Sequence, residues 1–150
     1  MKKILVLFLL TASLVTSATL HAQIRKIPAE VTDAFKAKFP DATNVEWKDN
    51  LSSFQASFKL KSDEWTADFS SDGTWKESSK KMTFESLPPE VKEGFNKSKF
   101  SDWSPGSITY IEKSDNSILY KIYAEKSSLV QKRFLYFNKQ GQLEKDTPGI

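Results

Sequence analysis

The 150-residue sequence contains no cysteine, and its one histidine is His21. If the chain is cut after Ala22, His21 leaves with the N-terminal leader, and the lack of both residue types then removes a long list of chemistries. Histidine acid–base catalysis, cysteine nucleophiles, Ser–His–Asp triads, zinc sites built on Cys or His, and haem or iron–sulfur ligation through those residues all lose their side chains. Disulfides and a lipidated N-terminal cysteine are excluded as well. Long apolar runs are also lacking beyond the N-terminus, where residues 4–15 are almost wholly apolar after Met1-Lys2-Lys3. That run is about a dozen residues, short of the roughly 20 that a spanning helix needs. With the small residues of 16–22 behind it, it reads as a secretory signal peptide over residues 1–22. Cleavage after Ala22 and cleavage after Ala18 both remain open. The mature chain is expected to be periplasmic or secreted, with no membrane insertion.

Loss of the leader also removes most of the positive charge. The whole chain has 22 Lys and Arg against 19 Asp and Glu, and Lys2 and Lys3 leave with the leader, so the mature balance is 20 against 19. The charges are interspersed, as in Lys36, Lys38, Asp41 and Glu46. No block of one sign marks a nucleic-acid groove, and no nucleic acid is expected as a partner.

The remaining catalytic options are a carboxylate pair and a Ser–Lys dyad, for which Ser78-Ser79-Lys80-Lys81 offers the residue types. No glycine-rich phosphate loop accompanies that stretch, which reads as a solvated strand edge or turn. Asp63, Asp68 and Asp72 lack the spacing that wraps a calcium ion and read as turn and edge carboxylates. The expectation is therefore no enzyme, no catalytic residue, no metal site and no cofactor. Trp47, Trp65, Trp75 and Trp103 leave open a small-ligand or glycan-binding alternative using exposed aromatics, although Trp65 is in phase with Phe69 and fits a core better.

An internal match organises what is present. Ile27-Pro28-Ala29-Glu30-Val31-Thr32-Asp33-Ala34-Phe35 is echoed 60 residues later by Leu87-Pro88-Pro89-Glu90-Val91-Lys92-Glu93-Gly94-Phe95. Further on, Phe69, Gly73 and Trp75 are echoed by Phe137, Gly141 and Leu143 at an offset of 68. Ile27, Val31, Ala34 and Phe35 form one helical stripe, as do Leu87, Val91, Gly94 and Phe95, so helices are expected over 28–39 and 88–98. Between them the period becomes two: Phe54, Ala56, Phe58 and Leu60 alternate with polar residues, then Trp65, Ala67 and Phe69 do the same. Strands are likewise expected at 45–47, from Trp75, and at 108–111, 118–124, 129–137 and 143–145. The expected fold is α+β, with two tandem helix-plus-four-strand antiparallel units over 23–86 and 87–150 and the helices packed on one face of the sheet.

The two copies of Ile/Leu-Pro-x-Glu-Val-x-x-x-Phe, the segment Asn44-Val45-Glu46-Trp47 and the Phe-x-x-x-Gly-x-Trp/Leu turns resemble the PepSY-like, β-lactamase-inhibitor-protein-like family of exported proteins. The resemblance covers about residues 24–146. It implies a sheet that presents a binding surface, and a role in recognising or inhibiting an exported or periplasmic protein. No segment matches the inhibitory loops of that family's namesakes, so no inhibitory residue is carried over.

One surface is singled out by the residues themselves. If Tyr120, Ile122, Leu135 and Phe137 face a helix, the opposite face carries Leu119, Tyr123, Phe134 and Tyr136. These are too apolar for a merely solvated face and form the candidate binding surface, for a protein partner or for self-association. Two alternatives stay open: cover by residues 147–150, and a register shifted by one, which would swap the faces.

Overall fold

The computed structural model describes residues 26–126 and 131–149, so the expected signal peptide over 1–22 lies outside the described residues. Helix α1 (Ala29–Lys38) leads into strands β1 (Thr43–Asp49), β2 (Ser53–Leu60), β3 (Asp63–Ser70) and β4 (Trp75–Met82). A 3-10 turn at Phe84–Ser86 precedes helix α2 (Pro89–Lys97), followed by β5 (Ser104–Lys113), β6 (Ile118–Lys126), β7 (Gln131–Asn138) and β8 (Leu143–Pro148).

Each helix starts at a proline that cannot donate and does not need to. Pro28 and Pro88 sit extended just before the first turn, and their carbonyls accept from Val31 and Thr32, and from Val91 and Lys92. Glu30 and Glu90 place negative charge in the positive first turn. Pro40 follows Phe39, the cap of α1, and cannot prolong the helix.

The eight strands form one antiparallel sheet in sequence order. This corrects the expectation of two tandem helix-plus-four-strand units. The sheet does not stop between them, because β4 pairs with β5 over six residue pairs from Glu77 and Lys113 to Met82 and Ile108. The physical reason is edge satisfaction. Two separate four-stranded sheets would leave two further strands with unpaired N–H and C=O groups, and joining β4 to β5 removes both edges. The side chains cross the seam too. On one face Phe58, Trp65, Lys80, Tyr110, Tyr120 and Phe137 stand directly opposite one another in turn across six strands. Within that row the Trp65 and Tyr110 rings lie 5.8 Å apart and the Tyr110 and Tyr120 rings 5.7 Å apart.

This is also the face that carries the helices. Val31 and Phe35 of α1 are buried among Phe54, Ala56, Phe58, Ala67 and Phe69. Val91 and Phe95 of α2 are buried among Ile108, Tyr120, Ile122, Leu135 and Phe137. Two hydrophobic clusters therefore share one side of one sheet, and among the described residues no helix covers the other side.

Gly73 and Gly141 occupy the β3–β4 and β7–β8 turns with φ of +85° and +76°, the left-handed region that glycine enters without penalty. Each turn packs against the first turn of a helix. A Cβ at Gly73 would lie 2.6 Å from the Glu30 carbonyl oxygen, and one at Gly141 would fall on that of Glu90.

Candidate binding surface

Strand alternation builds the uncovered face at β6 and β7. Tyr120, Ile122 and Ala124 turn into the α2 cluster, as do Leu135 and Phe137, which leaves Leu119, Lys121 and Tyr123, and Phe134 and Tyr136, on the other side. Tyr123 stands directly opposite Phe134, and Lys121 opposite Tyr136. The Tyr123 and Phe134 ring centroids are 5.6 Å apart, within the range of a favourable aromatic pair. The Lys121 ammonium lies 4.1 Å from the Phe134 centroid and 6.0 Å from that of Tyr136, while the Lys145 ammonium lies 5.7 Å from Tyr136 on its other side.

Sequence reasoning placed all four candidate residues on this side, and the structure brings them together with one difference. Leu119 is 8% exposed and stands opposite Ile111, equally buried, so these two form the closed inner end of the cluster. Tyr123, Phe134 and Tyr136 are half-buried and keep part of each ring open to solvent. Residues 147–149 do not fold over them. Thr147 pairs opposite Phe134 as part of β8, and the Gly149 N–H donates to the Lys132 carbonyl at 2.8 Å. The register is the one that sets Tyr120 and Phe137 opposite each other toward the helix.

Gly106 is a residue that sequence reasoning missed. It lies in β5 within the register shift between Pro105 and Ile108, and a Cβ there would come 2.8 Å from Cδ1 of Tyr123. The glycine makes room for the tyrosine ring to lie against the sheet. An isolated glycine inside a strand pattern is the signal that could have found it.

A groove of about 810 Å³ lies over β1 to β5, lined from this face by Glu46, Ser57, Glu64, Thr66, Lys81 and Thr109 and from the helix side by Phe58 and Trp65. Thr109 stands opposite Lys121, so groove and aromatic cluster adjoin.

Other candidate groups take structural roles. Ser78 is buried and accepts from the Trp75 indole N–H at 2.9 Å, and the Ser79 hydroxyl bonds that of Thr66 at 2.8 Å. Lys80 bonds Asp63 at 2.6 Å. Asp68 accepts from Gln55, and Asp72 from the Ser70 hydroxyl and the Thr74 N–H. Those turn bonds hold the Asp72 carboxyl well below its ordinary value, at about 2. Burial pushes the Tyr110 and Tyr120 phenols up. The tryptophans build no common platform. Trp47, Trp65 and Trp75 pack on the α1 cluster and Trp103 on the α2 cluster. Among the described residues no three His, Cys, Asp or Glu side chains are grouped to hold a metal, and no helix is long and apolar enough to cross a membrane.

Among the described residues, a single antiparallel sheet carries two short helices on one side and none on the other. The family described as "Putative beta-lactamase-inhibitor-like, PepSY-like" matches residues 52–145. The chain belongs to that PepSY-like, β-lactamase-inhibitor-like family. Its fold is similar to a BLIP-like protein from Bacteroides fragilis NCTC 9343, with a TM-score of 0.75 and 22% identity over 82% of this chain and 86% of the other. It is similar too to a DUF2874 family protein from Bacteroides ovatus ATCC 8483, with a TM-score of 0.76 and 22% identity over 82% and 88%. A third structure, from Bacteroides eggerthii DSM 20697 and described among "putative periplasmic proteins", gives a TM-score of 0.73 and 21% identity over 82% and 89%. No curated protein matches the chain.

Proposed function

We propose that the chain is an exported, non-enzymatic binding module that recognises or inhibits a protein partner through the uncovered face of its sheet. Tyr123, Phe134 and Tyr136 form the centre of contact, and Leu119 lies on the same side of β6, buried opposite Ile111. The observation that carries this reading is the half-buried Tyr123–Phe134 ring pair on a sheet face that no helix covers among the described residues. Aromatic rings with partial exposure supply contact area at little entropic cost, which is why they concentrate in binding surfaces. The β-lactamase-inhibitor-like family and the BLIP-like neighbour support the class of function. The charged-then-apolar start of the chain and the neighbour described as periplasmic support export.

The test compares the wild-type protein with a Tyr123→Thr/Phe134→Thr variant as baits in periplasmic extract of the source organism. Threonine keeps the strand preference while removing the rings. A protein retained by the wild type and released by the variant, with the variant's melting transition intact, supports the reading. Identical sets on both baits would reject it.

A further inference from the structure

We infer that the partner presents an acidic, extended polypeptide segment, held by a line of lysines across the aromatic cluster; this rests on the binding reading above and names the chemistry of its partner. On the uncovered face Lys81, Thr109, Lys121, Tyr136 and Lys145 stand opposite one another in turn from β4 to β8. Three of the five positions are cations, and none is a carboxylate. Adjacent strands are about 4.8 Å apart, so successive lysines in this row are anchored about 10 Å apart.

Among the described residues none of the three is ion-paired, although Glu46 and Glu64 line the same groove as Lys81. Lys38, Lys80, Lys97, Lys99 and Lys126, by contrast, each have a carboxylate within ion-pair distance. Lys121 and Lys145 rest instead against the rings of Phe134 and Tyr136. Ring faces attract an ammonium and position it, but they leave its charge uncompensated.

From Lys81 to Lys145 the row spans four strand spacings, about 19 Å, more than one small anion covers. An extended polypeptide covers it: a polyproline-like chain rises about 3.1 Å per residue with three residues per turn, which sets every third side chain on one side, about 9 Å from the next. Carboxylates at that spacing would meet the lysines, and the intervening apolar side chains would meet Phe134 and Tyr136. Opposite charge also steers such a segment to the face before contact.

The test is fluorescence anisotropy with the protein purified from the periplasm of an expression host. The probe is a fluorescein-labelled peptide repeating Glu-Pro-Tyr, set against one repeating Lys-Pro-Tyr. The acidic peptide is expected to bind at least about tenfold more tightly than the basic one and to weaken as salt rises. Lys81→Gln, Lys121→Gln and Lys145→Gln should each weaken it by about fivefold, while Lys36→Gln on α1, on the other side of the sheet, leaves it unchanged. Equal binding of the two peptides would overturn the inference. So would phosphatidylglycerol vesicles or self-association showing the same lysine dependence when the acidic peptide does not bind. If Phe134→Thr abolishes binding of both peptides while the lysine variants change neither, the aromatic surface still docks a polypeptide and only the acidic partner is rejected. If Phe134→Thr also changes nothing, the surface itself is rejected.

Discussion

Gly94 in the middle of α2 faces the backbone of Gly141 in the β7–β8 turn, so closely that a Cβ added at residue 94 would fall on the Gly141 carbonyl oxygen. Helix propensity alone favours Gly94→Ala by roughly 0.5–1 kcal/mol. The obstacle here is backbone at a left-handed turn, which cannot rotate away as a side chain would, and forced overpacking costs about 1–3 kcal/mol. The second effect is larger. Gly94→Ala is expected to lower the melting temperature by several degrees, and a raised one would mean that the turn is not seated on the helix.

Phe35 is the centre of the α1 cluster. It is 4% exposed and its ring lies 5.0 Å from that of Phe58, 5.3 Å from Trp47, 5.4 Å from Phe39 and 6.2 Å from Phe69. Four aromatic partners cannot collapse into the space that Phe35→Ala would vacate, so the change is expected to cost about 3–5 kcal/mol. With no disulfide to limit the unfolded chain, that is a large part of a small domain's stability. Denaturant titration measures it, and a loss below about 1 kcal/mol would contradict the packing described.

The helices and the inner rows of β2, β3, β6 and β7 were legible because Val31 with Phe35, Phe54 with Phe58, and Leu135 with Phe137 repeat at the periods of 3.6 and 2. The continuity of the sheet was not. β4 reads Trp75-Lys76-Glu77-Ser78-Ser79-Lys80-Lys81-Met82, and its one buried residue is a serine, Ser78. A strand at the seam between two helices is only partly covered, so it carries little alternation and gives no sign of its neighbour. The same limit applied to the site. The ring-bearing positions followed from register, but Ile111 burying Leu119, Gly106 beneath Tyr123 and the row through Lys81, Lys121 and Lys145 depend on which strands lie side by side.

Asp72 gives the β3–β4 turn a dependence on pH. Its carboxyl accepts from the Ser70 hydroxyl and the Thr74 N–H, which lowers its pKa from 3.8 to about 2. A group whose pKa falls on folding adds stability that is fully present above the unfolded value and is lost as pH drops through the folded one. Wild type should therefore be more stable than Asp72→Ala at pH 7, and the gap between their melting temperatures should narrow below pH 3.8 and close toward about 2. A gap independent of pH over that window would show that the turn is held by its backbone and Gly73 alone.

Gly106→Ala separates the shape of the binding surface from the stability of the fold. The added methyl would stand 2.8 Å from Cδ1 of Tyr123, inside van der Waals contact, so one of the two must move. The ring is half-buried on an uncovered face and can swing outward, which limits the packing cost. Replacing a strand glycine meanwhile recovers roughly 0.5–1 kcal/mol of backbone entropy. These effects oppose each other, and the melting temperature should stay within about 4 °C of wild type, the shift that accompanies roughly 1 kcal/mol in a domain of this size. The displaced ring, however, loses its 5.6 Å pairing with Phe134. The near-ultraviolet circular dichroism should change, and binding at this face should weaken. The control is Gly106→Ala combined with Tyr123→Thr: once the ring is gone, the methyl should have no further effect on binding. Additive losses in the double variant would place the role of Gly106 elsewhere than under Tyr123.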